Sequence, residues 1–380
     1  MQQLNNISES LKVLFVSTSY PADRKDWKGR FTANLVEAIS RQKGIDLRIW
    51  TPPGDVPPSV KNVSSRSEAD WLKKMLKTGG IAHIIRTKGI LGAITVFRLI
   101  KNLRRVYTRE SNVDMVHVNW LQNCLPLWGK KTPAVISVLG SDYGMLKLPS
   151  MRLFLRSVLR QRTPIIAPNA GWMVPVLHKS FGDIAEIRPI PFGVDERWFR
   201  LQGNVPKSNK THWITVTRIT YKKIGNLFKW GKGLFSEDHI LHLFGPVQET
   251  LSLPEWVVYH GPVGPDELLR KWFPLCSGLI TLSQHDEGRP QVMLEAMAAG
   301  LPVIASDMPA HLDIIKHGEN GWIVSEAQDL KEAISFFNTR EAASRMGESA
   351  RSWVLKNIGT WDDCAGRYIT AYQDLLERNR

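Results

Sequence analysis

The sequence predicts an α/β protein with two Rossmann-like domains that face each other across an interdomain cleft. Short apolar runs alternate with amphipathic helical stretches in both halves of the chain. A turn-rich segment at 189–198, PIPFGVDERW, separates the two series, and the polar stretch 202–210 after it is typical of a linker. The length of 380 residues also suits two α/β units better than one core.

The N-terminal series begins with an apolar run at 11–17, of the kind that is buried in a parallel sheet. A helical pattern follows at 31–41. Further strands are predicted at 47–50, 113–118, 134–138 and 165–167. We therefore assign residues 1–200 to an N-terminal domain. His117 lies inside one of these strands and is expected to satisfy a hydrogen bond in the core.

The C-terminal series repeats the alternation, which assigns residues 201–358 to a second domain. Its strands are predicted at 213–217, 240–244, 256–259, 279–283 and 302–305. Residues 359–380 carry apolar and aromatic side chains at helical spacing and predict a terminal helix. In open parallel sheets ligands bind beyond the carboxyl ends of the strands, so functional residues are expected directly after strands.

The net charge of +14 comes from the N-terminal half. Residues 1–200 hold 31 Lys/Arg against 15 Asp/Glu, and the stretch 61–110 holds 12 against 3. This asymmetry indicates a polyanionic partner for one half: nucleic acid, anionic lipid or a phosphate-bearing acceptor. We find no module with interleaved basic and aromatic residues of the nucleic-acid-binding kind, so no nucleic acid partner is expected.

The basic stretch 61–110 contains an amphipathic helical pattern that permits two interpretations. One face carries basic residues and another carries apolar ones: Arg98, Lys101, Arg105 and Arg109 against Val96, Leu99, Leu103 and Val106. The helix could make a peripheral contact with an anionic membrane. Alternatively, it packs on a sheet and leaves its basic face in water.

The cysteines and the apolar runs bear on the cellular compartment. Cys124, Cys276 and Cys364 lie far apart, which argues against a zinc site and a disulfide framework. The first residues lack a secretory pattern, and the apolar run at 89–97 is too short to span a bilayer. We predict a cytoplasmic protein, with peripheral association with the inner face of the cell membrane as an alternative.

Residues 279–305, LITLSQHDEGRPQVMLEAMAAGLPVIA, form the most informative segment. A predicted strand ends in a loop, and Pro290 suits the first position of the helix that follows. The helix is expected to run to about Ala299, where Gly300 can end it in the left-handed conformation. The next strand then begins near Pro302.

Two carboxylates and a helix N-terminus meet on this scaffold. Glu287 lies in the loop, and Glu295 lies about one turn inside the helix. The backbone N–H groups near Gln291 and Val292, with the helix dipole, favour an anion. Gly288 has no side chain to block a diphosphate. The segment therefore predicts a site for a nucleotide sugar.

Two motifs resemble those of the retaining GT-B glycosyltransferases, in particular glycosyltransferase family 4. The first is the Glu-x7-Glu pair followed by Ala-Met-Ala-Ala-Gly-Leu-Pro-Val. The second is Arg218 with Lys223, which is similar to the family's Arg-x4-Lys motif. Ile224 stands where the family often has a glycine, so Lys222 remains an alternative to Lys223 as the ligand.

The resemblance implies a role for each of these residues. Glu287 would orient the transferred sugar, Glu295 would accept hydrogen bonds from the ribose, and Arg218 with Lys223 would stabilise the leaving diphosphate. The other residues that it assigns to the donor site are Gly288, Arg289, Gln291, Val292, Gly245 and Gly261.

In the N-terminal half the resemblance is weaker. Gly29 corresponds to the family's glycine-rich loop, which meets the donor phosphate and the acceptor. Leu139-Gly140-Ser141-Asp142 resembles the family's His-Gly-x-Asp, with Leu139 in place of the histidine. This implies a catalytic position for Asp142, although Ser141 or Asp142 could instead cap a helix. The family's last helix crosses back, which implies that 359–380 packs on the N-terminal domain.

Taken together, the resemblance implies a retaining transfer from a nucleotide-diphosphate sugar to a glycan or lipid-diphosphate-linked acceptor. Bacterial surface polysaccharide, such as lipopolysaccharide, capsule or exopolysaccharide, is the expected product. No cofactor and no metal are expected, because Asp-x-Asp is absent from the sequence. Two alternatives remain: a nucleotide-sugar epimerase or phosphorylase on the same fold, and a catalytically silent sugar-binding subunit.

Overall fold

A computed structural model describes residues 10–24, 26–80, 84, 89–140, 142–201 and 210–379. Ser141 and the predicted linker, except for residue 210, lie outside the described residues. The chain divides into two compact units, residues 1–192 with 362–380 and residues 193–361, called here the N-terminal and C-terminal units. The predicted boundaries at 200 and 358 differ from this division. Val194 and Trp198 pack in the core of the C-terminal unit, which places the turn-rich segment after 192 with that unit.

The described part of the N-terminal unit contains a parallel sheet of seven strands in the order β3-β2-β1-β4-β5-β6-β7. The strands are β1 Leu11–Val16, β2 Ile45–Trp50, β3 Lys61–Asn62, β4 Met115–Asn119, β5 Ala134–Val138, β6 Ile165–Pro168 and β7 Glu186–Ile187. β4 and β5 are buried along their whole length, as expected for parallel strands covered on both faces. The strands β3 and β7 were not predicted, since two residues carry no apolar run.

Helices follow the strands of this unit. They are α1 Arg30–Ser40, α2 Arg66–Lys77, α3 Gly89–Arg109, α4 Pro149–Leu159 and α5 Val174–Phe181, with 3₁₀ turns at Leu121–Leu127, Tyr143–Lys147 and Gly171–Met173. α1 begins after Gly29, whose φ is 68°. A Cβ at Gly29 would lie 2.5 Å from Ser19 Oγ and 2.8 Å from Tyr20 N, so glycine is required at this turn.

The described part of the C-terminal unit contains a second parallel sheet, of six strands, in the order β10-β9-β8-β11-β12-β13. The strands are β8 Thr211–Val216, β9 His239–Phe244, β10 Val257–Gly261, β11 Gly278–Thr281, β12 Val303–Ser306 and β13 Trp322–Val324. The strand order reverses between β8 and β11. Ligands of doubly wound sheets bind at this kind of switch point. Arg218 follows β8 and Glu287 follows β11.

The described part of this unit also contains helices between and after the strands. They are α6 Glu196–Phe199, α7 Tyr221–Ile224, α8 Leu227–Trp230, α9 Pro265–Glu267, α10 Gln291–Ala298, α11 Pro309–Leu312, α12 Ala327–Phe336 and α13 Arg340–Asn357. α9 continues as a π turn, Leu268–Trp272, and a 3₁₀ turn, Phe273–Leu275. Gly300 has φ 76°, which confirms the predicted left-handed end of α10. Pro290 is the N-cap residue with ψ 113°, so its predicted place inside the first turn is wrong by one position.

The C-terminal helix α14, Trp361–Glu377, packs with the N-terminal unit. Tyr372 Oη lies 2.6 Å from His117 Nδ1, and Ser137 Oγ lies 2.7 Å from both His117 Nε2 and Tyr368 Oη. Burial lowers the pKa of His117 to about 3, so the imidazole is neutral. The predicted core role of His117 is confirmed.

Two further features concern the whole described chain. Among the described residues, no helix combines the length and the apolar character that a bilayer crossing requires. Cys124, Cys276 and Cys364 are buried free thiols.

Candidate active site

The loops after β8 and β11 bring opposite charges together. Lys223 Nζ lies 2.5 Å from Glu287 Oε2, and both side chains are mostly buried. Thr220 caps the short helix α7 by accepting a hydrogen bond from Lys223 N at 3.2 Å. The neighbouring Lys222 is exposed. The structure therefore places Lys223, rather than Lys222, beside the glutamate.

Gly225 allows α7 to approach the loop that carries Glu287. Its φ is 54°, and a Cβ at this position would lie 1.9 Å from Leu282 O. Gln284 N donates to Lys222 O at 2.7 Å across the same gap. Because a side chain at 225 would force the two segments apart, the glycine sets the distance between Lys223 and Glu287. Although Ile224 separates this glycine from Lys223, the pair of Lys223 and Glu287 still forms.

The electrostatics of the pair favour ionised side chains. Burial alone would raise the pKa of Glu287, but Lys223 and, more weakly, His311 and His285 bring the pKa below its ordinary value. Burial lowers the pKa of Lys223; Glu287 opposes this, and Arg218 adds to it. The Lys223 cation therefore contacts the Glu287 carboxylate, and Arg218 lies close enough to lower the pKa of Lys223.

Two histidines beside the cluster of Lys223, Glu287 and Arg218 were not predicted. His311 is buried on α11, and its Nδ1 donates to Ser306 O at 2.9 Å. His285 Nδ1 donates to Asp286 O at 2.6 Å. Burial is the main cause that lowers the pKa of both imidazoles, so both are neutral at pH 7. Both residues follow strands, β11 and β12, and the rule that functional groups follow strands could have found them.

The first turn of α10 is fixed by contacts of its side chains. Gln291 Nε2 donates to Gly193 O at 2.8 Å, and Val292 packs against the apolar core. Among the other predicted donor residues, Gly288 is buried, and Arg289 forms a largely buried ion pair with Asp313. Contributions of Gln291 and Val292 to an anion site would therefore come from backbone N–H groups, as the prediction supposed.

Glu295 is partly buried on α10, eight residues after Glu287 in the sequence. Burial and, more weakly, the charge of Asp195 raise the pKa of Glu295 to about 8. Asp195 is held in place because it accepts hydrogen bonds from Arg197 N at 2.9 Å and from the Arg197 side chain. A glutamate on a solvated helix face would keep its ordinary pKa, so the structure does not support that alternative for Glu295.

The raised pKa predicts a pH-dependent effect of Glu295→Gln. A carboxyl group whose folded-state pKa exceeds its unfolded value stabilises the fold when protonated. This contribution is complete below pH 4.5 and is lost as the pH rises through about 8. We expect Glu295→Gln to raise the melting temperature by roughly 3 °C at pH 9 and to leave it nearly unchanged at pH 4.5. The exposed Glu332→Gln is the control in thermal unfolding at both pH values, and equal shifts at both would contradict the prediction.

Gly245 and Gly261 lie at the same edge of the sheet, after β9 and at the end of β10. Gly245 N donates to Gly261 O at 2.9 Å. Gly245 has φ 128°, and a Cβ there would lie 1.8 Å from Thr217 O, directly before Arg218. The glycine therefore allows the β9 loop to pass close to the backbone at Thr217 and Arg218.

Asp142 of the N-terminal unit is buried and binds two loops. Its two carboxylate oxygens accept hydrogen bonds from Leu121 N at 3.1 Å and from Leu139 N at 3.0 Å. Burial raises the pKa of Asp142 to about 6 although these backbone donors lower it. It makes no side-chain cap hydrogen bond to the turn that follows. The contacts favour a loop-organising role, and the catalytic role of Asp142 stays a prediction.

Comparison with known families agrees with the motif at this switch point. Residues 248–353 match the model of the family "Glycosyl transferases group 1". The matched domain spans 106 of the 380 residues. Glu287 and Glu295 lie inside the matched residues, and Arg218 and Lys223 precede them. This domain and the glycosyltransferase relatives support a transferase enzyme.

Two curated relatives illustrate how far the similarity extends. N-acetyl-alpha-D-glucosaminyl L-malate synthase of Bacillus anthracis is 29% identical over 74% of this chain and 80% of the relative. Spore coat protein SA of Bacillus subtilis is 28% identical over 37% of this chain. The match spans only about a third of the length of that second relative (35%).

Solved structures resemble the chain over nearly its whole length. Sucrose-phosphate synthase from Thermosynechococcus elongatus has a TM-score of 0.72 at 16% identity, covering 97% of this chain and 100% of its own. The Anabaena protein HepE, solved in complex with UDP and glucose, has a TM-score of 0.68 at 13% identity, covering 96% and 99%. At this identity the likeness concerns the fold, which is α/β with two Rossmann-like domains and GT-B neighbours.

Over residues 10–379, within the ranges that the structure describes, no group of three or more His, Cys, Asp and Glu side chains is arranged to hold a metal ion.

Proposed function

We propose that the chain transfers a sugar from a nucleotide-diphosphate sugar to a glycan or lipid-diphosphate-linked acceptor in the synthesis of a bacterial surface polysaccharide. The observation that carries this proposal is the buried pair of Lys223 and Glu287 beside Arg218, at the switch point of the C-terminal sheet. The UDP and glucose bound to the Anabaena protein support a nucleotide sugar as the donor.

The charges of the cluster match the parts of such a donor. A diphosphate near the N-terminus of α10 would accept hydrogen bonds from Arg218 and Lys223. Glu287 is ionised, so it can accept hydrogen bonds from hydroxyls of the transferred sugar. Glu295, on α10, would accept hydrogen bonds from the ribose. The charge-assisted hydrogen bonds of the ionised Glu287 and of the cations contribute about 1.5–3 kcal/mol each.

The proposed reaction keeps the anomeric configuration and uses no metal. The bond between the anomeric carbon and the phosphate oxygen breaks, while the acceptor oxygen forms its bond to the same face of that carbon. The acceptor proton passes to the departing phosphate oxygen. Negative charge grows on the diphosphate during this step, and the fixed cations Lys223 and Arg218 stabilise it. The neutral His285 and His311 would add no competing charge.

A transfer assay tests the proposed function. The protein is incubated in EDTA with a panel of UDP- and GDP-sugars, with and without polyprenyl-diphosphate-linked sugars as acceptors. We expect release of UDP or GDP that depends on the acceptor, together with a new glycoside. Conversion of the donor to another nucleotide sugar without any acceptor would favour an epimerase instead. Donor binding without turnover on any acceptor would favour a silent sugar-binding subunit.

A further inference from the structure

The exposed face of α3 is apolar in its first half and basic in its second half. Ile90, Ile94 and Phe97 recur at helical spacing and are 82%, 56% and 69% exposed. Lys101 and Arg105 continue the same face and are also exposed. This apolar set differs from the predicted one, because Leu99, Leu103 and Val106 are buried in the core of the N-terminal unit.

Further exposed apolar side chains lie beside α3, after the neighbouring 3₁₀ turn and at α4. α3 and α4 both contact the 3₁₀ turn Leu121–Leu127. Arg104 of α3 donates to Pro126 O at 3.1 Å, and its guanidinium lies 5.4 Å from the centre of the Trp128 ring. Further exposed apolar side chains are found here: Trp128 after the turn, and Leu148, Leu153 and Phe154 at α4. We call residues 89–109, 121–131 and 143–160 together the α3–α4 surface.

The α3–α4 surface carries charge of one sign. Its three segments contain five, two and four Lys/Arg residues respectively, and no Asp or Glu. Arg156 is paired from outside the surface by Asp183, and exposed cations such as Lys101, Arg105 and Arg152 border the apolar side chains. A protein partner for so basic a surface would need an acidic apolar face, whereas an anionic bilayer offers both properties at once.

We infer that the α3–α4 surface docks on an anionic lipid bilayer. Ile90, Ile94 and Phe97 would enter the boundary between headgroups and acyl chains, and the basic side chains would contact lipid phosphates. The inference deepens the proposed function and rests on it in one respect: it names the membrane as the place where a lipid-linked acceptor is met.

Vesicle sedimentation tests the inference. The full chain is mixed with vesicles of phosphatidylcholine alone and of phosphatidylcholine with phosphatidylglycerol, at low and high salt. We expect binding to the anionic vesicles that weakens with salt, and at least tenfold weaker binding of the double variant I94S/F97S. The matched control is Leu355→Ser, because Leu355 is an isolated apolar residue of the C-terminal unit that is 59% exposed. It should bind vesicles like the unchanged protein.

Several outcomes would overturn the inference. One is the absence of binding to anionic vesicles, and another is equal binding by I94S/F97S. A dimer in solution that the same substitutions dissolve, with no vesicle binding, would show that a second copy covers this surface. Binding of UDP and GDP is measured on every variant. If the unchanged protein binds nucleotide but no anionic vesicles, the docking surface alone is refuted. If it binds the vesicles but no nucleotide, the proposed function alone is refuted.

Discussion

Replacing Lys223 with alanine is expected to lower kcat/KM for sugar transfer by about 10²–10³-fold. The substitution removes a cation from the place where charge grows on the leaving diphosphate. It also leaves Glu287, mostly buried, without its partner at 2.5 Å. The unpaired carboxylate would then repel the donor. The affinity for UDP or GDP should therefore fall together with the rate, and both are measured by steady-state kinetics and calorimetry.

The neighbouring lysine supplies the control for this prediction. Lys222→Ala removes the same charge one residue earlier, but Lys222 is exposed and not part of the buried pair. We expect its kinetics to stay within about twofold of the unchanged protein, since exposed charges contribute little. If Lys222→Ala were the damaging substitution, the assignment of the cation in the Arg-x4-Lys motif would be wrong.

Glu287→Gln is expected to separate catalysis from nucleotide binding. Loss of the carboxylate removes the acceptor that orients the sugar, so kcat should fall by about 10²-fold or more. Lys223 then loses the carboxylate that it contacts, and this carboxylate is the group that raises the pKa of Lys223. The free nucleoside diphosphate should consequently bind as tightly as before, or more tightly.

A double-mutant comparison makes the second prediction sharper. The variant with Lys223→Ala and Glu287→Gln has neither charge, so the penalty of an unpaired buried group disappears. We expect its stability to exceed that of Lys223→Ala while its activity stays as low. Asp286→Asn, on the exposed residue before Glu287, is the control for the loop. Weaker nucleotide binding by Glu287→Gln would contradict the proposed division of roles.

Much of the sheet architecture could be predicted from the sequence. β5 begins and ends where the apolar run 134–138 predicts it, and the longer strands differ by a few residues at their ends. The position of the motif around Glu287 could be predicted because an apolar strand precedes it, and Gly288 and Pro290 mark the loop before α10. β3 and β7 could not be predicted, because hydrogen bonds to a neighbouring strand define them rather than a pattern of their own.

The contacts of the site depend on tertiary structure and were harder to predict. Asp195 and Glu295 are a hundred residues apart in sequence, and nothing local indicates that the first raises the pKa of the second. The local sequence likewise does not indicate the ion pair of Arg289 with Asp313. The apolar residues Leu99, Leu103 and Val106 are buried, as one of the two interpretations of α3 held. The second, exposed apolar stripe with Ile90, Ile94 and Phe97 was not predicted, because packing decides which stripe is buried.

Calorimetric titration of UDP and GDP in the presence of EDTA tests the central claim most directly. The claim is that Lys223 and Arg218, at the switch point of the C-terminal sheet, hold the diphosphate of the donor without a divalent ion. We expect saturable binding of one of the two nucleotides, weakened at least tenfold by Lys223→Ala and unchanged by Lys222→Ala. Binding that requires added Mg²⁺, or that is indifferent to Lys223→Ala, would contradict the account.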